Sequence, residues 1–122
     1  MEPALMMKTA LALLTITALG GVAMAVVRLG RDANPPSWLA MLHGLLAGSA
    51  LTLLLYAYFT VGLPAFAGWA LLLFLVAALG GVYLNLAYHA KAVLLPKTIV
   101  VVHAVIAVVG YVLLLMAVFA AR

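Results

Sequence analysis

Two histidines, His43 and His103, lie sixty residues apart within long apolar stretches of the chain. An imidazole offers a nitrogen lone pair to a metal ion and can also exchange a proton near neutral pH. An ionisable side chain inside an apolar membrane-spanning segment is costly and usually marks a functional site. Two imidazoles at equivalent positions can hold one ligand from opposite sides. The pair therefore predicts a shared binding site, provided that the surrounding helices bring the two rings together.

The sequence around each histidine is repeated without a gap, because residues 10–59 match residues 70–119. The segment Ala-Leu-Gly-Gly-Val at 18–22, for example, returns at 78–82. A length of 122 residues allows one domain. Residues 1–122 are therefore expected to form a single domain that contains two copies of one helical hairpin, with the two histidines at symmetry-related places.

The composition predicts an integral membrane protein. Seventy per cent of the residues are hydrophobic and 7% are charged, which is more apolar surface than a soluble chain of this size can hide. A helix of about 20 apolar residues crosses the bilayer. Four transmembrane helices are expected, at about 5–29, 37–60, 66–90 and 97–120. The first of these also has features of a secretory signal, but its match to an internal segment favours a retained helix.

Basic residues suggest an orientation for the four helices. Arg28 and Arg31 follow the first helix, and Lys91 and Lys97 lie around the loop after the third. By the positive-inside rule, loops 28–37 and 89–98 are expected in the cytoplasm and both termini outside, in a bacterial inner membrane. Because each repeat contains two helices, the repeats share one orientation and form an up-down-up-down bundle about an axis along the membrane normal.

Small residues continue each histidine face and predict close helix packing. On the second helix Ala47 lies four residues after His43, and on the fourth helix Ala107 lies four residues after His103. Helices in lipid approach closely through such small-residue faces. Paired glycines on the first and third helices leave further room at a similar depth; they are Gly20, Gly21, Gly80 and Gly81.

A haem b group is the ligand that best suits two opposed imidazoles in a four-helix membrane bundle, with one axial nitrogen from each side. Four positions are expected to line the cavity, and four basic side chains lie on the correct side to neutralise the haem propionates. The cavity positions are Gly20, Gly80, Ala47 and Ala107, and the basic side chains are Arg28, Arg31, Lys91 and Lys97. Electrons would then pass to a quinone or to another membrane subunit.

The layout of four helices with His43 and His103 resembles four-helix b-type membrane cytochromes, in which facing histidines clamp haem. The segments Leu-His-Gly-Leu-Leu-Ala at 42–47 and Val-His-Ala at 102–104 also resemble small four-span bacterial membrane proteins. The resemblance covers all four helices, and its motif is the two histidines alone. Larger members of the cytochrome class carry four histidines, two in each leaflet. This chain has none in the outer leaflet, which implies one haem near the cytoplasmic face.

Other interpretations of the histidines remain open. They could serve packing alone, in a non-enzymatic protein that acts as a homo-oligomer or as an accessory subunit. They could line the pathway of a small transporter or channel. His89 could join them in a three-histidine metal site, or serve as a proton donor or a propionate partner. In the simplest case it is an interfacial residue near Lys91.

Several chemistries are excluded by composition. The chain has no cysteine, which removes disulfides, thiolate metal sites and cysteine nucleophiles. Its only acids, Glu2 and Asp32, lie outside the expected spans, so neither a proton-coupled exporter nor a Ser-His-Asp hydrolase has its essential acid. Six basic residues without a basic run do not indicate nucleic-acid binding. An electron carrier or accessory membrane protein is expected rather than an enzyme.

Overall fold

The computed structural model describes residues 1–121 and contains four α-helices followed or joined by short turns. All four helices are long and apolar enough to cross a membrane, which confirms the expected all-α class with four spans. The helices are α1 Pro3–Gly30, α2 Ser37–Thr60, α3 Ala65–Ala87 and α4 Lys97–Ala120, with a 3-10 turn at His89–Lys91 between α3 and α4.

Prolines define where the last three helices begin. Pro36, Pro64 and Pro96 each occupy the position directly before a helix, with φ between −59° and −64°. A proline ring fixes φ near this value, and it keeps the preceding residue out of the helical region. Each connection therefore enters its helix abruptly, and the three loops stay short.

The third helix ends earlier than the sequence predicts. It stops at Ala87 rather than near residue 90, and the chain then forms the 3-10 turn. The carbonyl of Tyr88 accepts hydrogen bonds from the backbone N–H groups of Lys91 and Val93. Ala92 has φ of 55°, a left-handed conformation that costs a residue with a Cβ about 1–2 kcal/mol. His89 consequently lies in a turn and not on the α3 helix.

The four helices form a closed ring in which each helix contacts two neighbours. The two hairpins, α1 with α2 and α3 with α4, pack most extensively, whereas α1 with α4 and α2 with α3 pack more lightly. The histidine-bearing helices α2 and α4 therefore lie diagonally across the bundle. The weakest seams of the fold run between the two repeats.

The main core occupies one half of the bundle, towards the chain termini. We call this the terminal end, and the opposite end, with loops 31–36 and 88–96, the histidine end. The repeat-related Leu54 and Leu114 are fully buried at the centre of this core. A second, smaller cluster lies at the histidine end and contains Leu84, Leu95 and Val100. The outer surface is strongly apolar, as contact with lipid requires; Phe59, for example, is 78% exposed.

Candidate functional site

His43 and His103 lie together in the space between the two buried clusters. Their ring centroids are 6.3 Å apart and their ring planes meet at 62°. Both side chains are half-buried. The structure thus brings together, across the diagonal of the bundle, the two imidazoles that the repeat places at equivalent positions.

Each imidazole is hydrogen-bonded to the first helix of its own hairpin. The Nδ1 atom of His43 is 2.9 Å from the carbonyl oxygen of Thr17, and the Nδ1 atom of His103 is 2.8 Å from that of Ala77. A carbonyl oxygen only accepts, so Nδ1 carries the hydrogen and donates it in both rings. The Nε2 atom, across the ring from the backbone, then keeps its lone pair when the imidazole is neutral.

Glycines make these carbonyls reachable from the neighbouring helix. Gly21 follows Thr17 by four residues and Gly81 follows Ala77 by four residues, so each glycine lies one turn above the accepting carbonyl. A Cβ at Gly21 would lie 3.0 Å from Cε1 of His43, and one at Gly81 would lie 3.2 Å from Cε1 of His103. The absence of a side chain at these two positions therefore sets how closely each ring can approach its partner helix.

The adjacent glycines supply a matched comparison. A Cβ at Gly20 would meet only Leu39, at 3.8 Å. We therefore expect Gly21→Ala to displace the His43 ring and Gly20→Ala to leave it in place, although both changes raise helix propensity by about 1 kcal/mol. NMR of imidazole-labelled protein checks this prediction by the shift of the His43 signals. Equal perturbation by both substitutions would contradict it.

The side chains on the histidine faces of α2 and α4 are less buried than those of the main core. Along α2, His43 and Ala47 are half-buried while Ala50 and Leu54 are buried. The equivalent half of α4, with His103 and Ala107, shows the same change. Within residues 1–121, no fully buried side-chain nitrogen or oxygen lacks a hydrogen-bond partner. Both Nε2 atoms, for which no hydrogen bond is present, therefore remain accessible.

Arg28 joins the two repeats at the histidine end. It is only 7% exposed, and its Nε donates to the carbonyl oxygen of Leu95 at 2.7 Å. Its Nη1 also donates to the carbonyl oxygen of Arg31 at 3.2 Å. The structure therefore gives the Arg28 guanidinium backbone partners, whereas the side chains of Arg31, Lys91 and Lys97 are exposed.

His89 makes a similar contact in the opposite direction, from the second repeat to the first, and it is not part of the His43–His103 pair. Its Nε2 donates to the carbonyl oxygen of Pro35, at 2.8 Å. Pro35 and Leu95 are repeat equivalents, so each repeat donates a hydrogen bond to the same carbonyl of the other repeat. Among residues 1–121, no group of three histidine or carboxylate side chains could hold a metal ion. The three-histidine site considered from the sequence is therefore not formed.

Asn34 completes this set of loop contacts. Its side-chain nitrogen donates to the carbonyl oxygen of Val93 at 2.8 Å, and its side-chain oxygen accepts from the backbone N–H of Leu95 at 2.9 Å. We call Arg28, Asn34 and His89 the loop clasp. The sequence repeat did not reveal the loop clasp, because it pairs Arg28 with Tyr88, which is one position away from His89. The equivalence of Pro36 and Pro96 was the one sequence signal that the two loops correspond.

Comparison with known proteins adds no family. Neither a protein-family model, nor a curated protein, nor a solved structure matches this chain.

Proposed function

We propose that this chain is an integral membrane protein that binds one haem b, with His43 and His103 as the two axial ligands, and that it carries electrons. The separation of the imidazole rings is the observation that carries the proposal. An imidazole nitrogen lies about 1 Å from the ring centroid and a metal–nitrogen bond is about 2 Å. Two rings that bind one metal atom from opposite sides therefore have centroids roughly 6 Å apart. The observed value is 6.3 Å.

The hydrogen bonds of the two rings suit this role. Metal-binding histidines almost always donate their second ring N–H to a carbonyl or carboxylate, which fixes the tautomer and makes the ligand nitrogen more basic. The carbonyl oxygens of Thr17 and Ala77 are such partners for His43 and His103. In the neutral form of each ring this bond leaves the lone pair on Nε2, so no deprotonation has to precede binding.

Small residues near the rings and light packing between the two hairpins are the features that would accommodate the macrocycle. A plane perpendicular to the line between the two histidines extends towards α1 and α3, where Gly21, Gly80 and Gly81 face the rings without a side chain. A Cβ at Gly20 would instead meet Leu39. Ala47 and Ala107 are half-buried on the histidine faces themselves. To admit the macrocycle, the light α1–α4 and α2–α3 seams would have to widen. The hairpins would separate slightly without losing their internal packing.

The exposed basic side chains at the histidine end would neutralise the propionates. Arg31, Lys91 and Lys97 are free to do so, since they are exposed and make no ion pair within residues 1–121. Arg28 would contribute mainly through the electrostatic field of its positive charge, because its guanidinium already donates hydrogen bonds to two carbonyl oxygens. We propose that the site lies in the cytoplasmic leaflet of a bacterial inner membrane, with both termini outside, because the positive-inside rule assigns the loops with these basic residues to the cytoplasm.

The proposed ligation restricts the chemistry. Haem supplies reversible one-electron chemistry when bound. If His43 and His103 both held the haem, the chain would leave no free position at the iron for oxygen, so these residues would favour electron transfer over oxygen activation. A quinone or another membrane subunit is the proposed partner.

Haem stoichiometry tests the proposal. Protein purified from haem-replete cells in mild detergent is expected to contain one haem b per chain by the pyridine haemochrome assay. A colourless preparation that is folded by circular dichroism would remove the proposal. The same measurement on His89→Ala is a control, because the His89 ring bonds to Pro35 and not to the histidine pair.

A further inference from the structure

We propose that the haem-free chain binds one Cu(I) ion between the Nε2 atoms of His43 and His103. This inference goes beyond the proposed haem function, since it concerns a bare metal ion and needs no cavity for a macrocycle. It depends on the ring geometry alone and remains testable whether or not the protein binds haem.

The number of available ligands selects the metal. Two imidazole nitrogens are present, and residues 1–121 offer no third histidine or carboxylate close enough to complete a larger set. Zinc takes four ligands in a tetrahedron, and calcium and magnesium require six or more oxygen ligands. Cu(I), a monovalent ion with a filled d shell, is satisfied by two nitrogen ligands in a line. Imidazole is a suitable donor for copper.

The distance between the rings fits such a line. Two metal–nitrogen bonds of about 2 Å again require ring centroids roughly 6 Å apart. The centroids are 6.3 Å apart, which matches the separation that two imidazole ligands of one ion require. Linear coordination does not constrain the angle between the two ring planes, and the 62° angle is therefore compatible with it.

Charge and proton balance also favour a monovalent ion. In a neutral imidazole whose Nδ1 donates to a carbonyl oxygen, Nε2 presents a lone pair, so binding to the neutral rings releases no proton. No acid lies within the spans to neutralise a divalent ion, since Glu2 and Asp32 lie outside them. The desolvation cost of an ion rises steeply with its charge, so one positive charge is far less costly than two. The copper is supplied already reduced, so no electron transfer is needed.

Titration with Cu(I) tests the site. The full chain is produced in haem-deficient cells, and its helical content is verified by circular dichroism. It is then titrated anaerobically against a chromophoric Cu(I) chelator. We expect one Cu(I) per chain, and at least a tenfold loss of affinity in His43→Leu and in His103→Leu. X-ray absorption at the copper edge should show two nitrogen ligands with the outer-shell pattern of imidazole.

Controls separate this site from other copper ligands. Met41→Leu removes the thioether two residues before His43, Met24→Leu removes one three residues after Gly21, and His89→Ala removes the third imidazole. Each of these variants should keep the wild-type affinity for Cu(I). Wild-type affinity in either histidine variant, or a coordination number of three or four, would overturn the proposal. If the haem-free chain does not fold, the titration is repeated with Cu(I) present during solubilisation, and failure to fold there also counts against the site. Haem binding without Cu(I) binding would overturn this inference and leave the proposed function intact.

Discussion

Replacement of either histidine by leucine is expected to abolish haem binding. His43→Leu and His103→Leu each remove one axial nitrogen, and they also leave the carbonyl of Thr17 or Ala77 without its imidazole partner. Loss of the group that accepts a hydrogen bond from a metal-binding histidine typically lowers metal affinity about 10- to 100-fold, so loss of the histidine itself should lower the affinity by more than about 100-fold. Leucine has nearly the volume of the imidazole and maintains the apolar packing. The measurement is haem content per folded chain after purification.

The matched control for this prediction is His89→Leu. It removes a histidine of the same chain at the same end of the bundle, but one that contacts Pro35. Haem content should stay near the wild-type value. If both His43→Leu and His103→Leu assemble normally and no haem is found even in the wild-type protein, the histidines serve packing. The chain then acts by association, as a homo-oligomer or accessory subunit.

Loss of the loop clasp is expected to cause the largest destabilisation outside the histidine pair. Arg28→Ala removes a buried charged donor that bonds the carbonyl oxygens of Leu95 and Arg31. A hydrogen bond from a charged group contributes about 1.5–3 kcal/mol. The bond to Leu95 also links the two repeats, whose mutual packing is light. We expect a loss of about 2–3 kcal/mol in the free energy of unfolding, measured by titration of detergent micelles with sodium dodecyl sulfate.

Arg31→Ala is the control for Arg28→Ala. It removes the same charge three residues further along the chain, just after α1, but the Arg31 side chain is exposed and only its backbone carbonyl takes part in the clasp. An exposed surface substitution usually changes stability by less than about 0.5 kcal/mol. Equal destabilisation by the two substitutions would show that net charge near the head groups matters, and not the contact with Leu95.

The sequence predicts the helices well because two independent patterns determine them. Uncharged stretches of about 20 residues specify spans in lipid, and prolines at 36, 64 and 96 begin three of the helices. The gapless repeat adds the equivalence of His43 and His103. Together with the small-residue faces, it predicts that the two rings lie at the same depth and point into the bundle, and the structure brings their centroids to 6.3 Å from each other.

The contacts at the histidine end were not predictable in the same way. Loop contacts depend on how short connections bend, and periodicity carries no information about this. The 3-10 turn moves His89 off α3 and directs it to Pro35. The repeat alignment pairs His89 with Leu29, so it does not indicate that His89 and Arg28 make equivalent hydrogen bonds between the repeats. The specific role of Gly21 required the position of the Thr17 carbonyl.

The central claim is that two imidazoles occupy both axial positions of one haem. Absorption spectra of the reduced protein with and without carbon monoxide test it most directly. With His43 and His103 both bound, we predict a six-coordinate low-spin spectrum with a Soret band that carbon monoxide does not shift. A shift of that band would mean an open axial position, and the absence of any Soret band would mean no haem; either result would contradict the account.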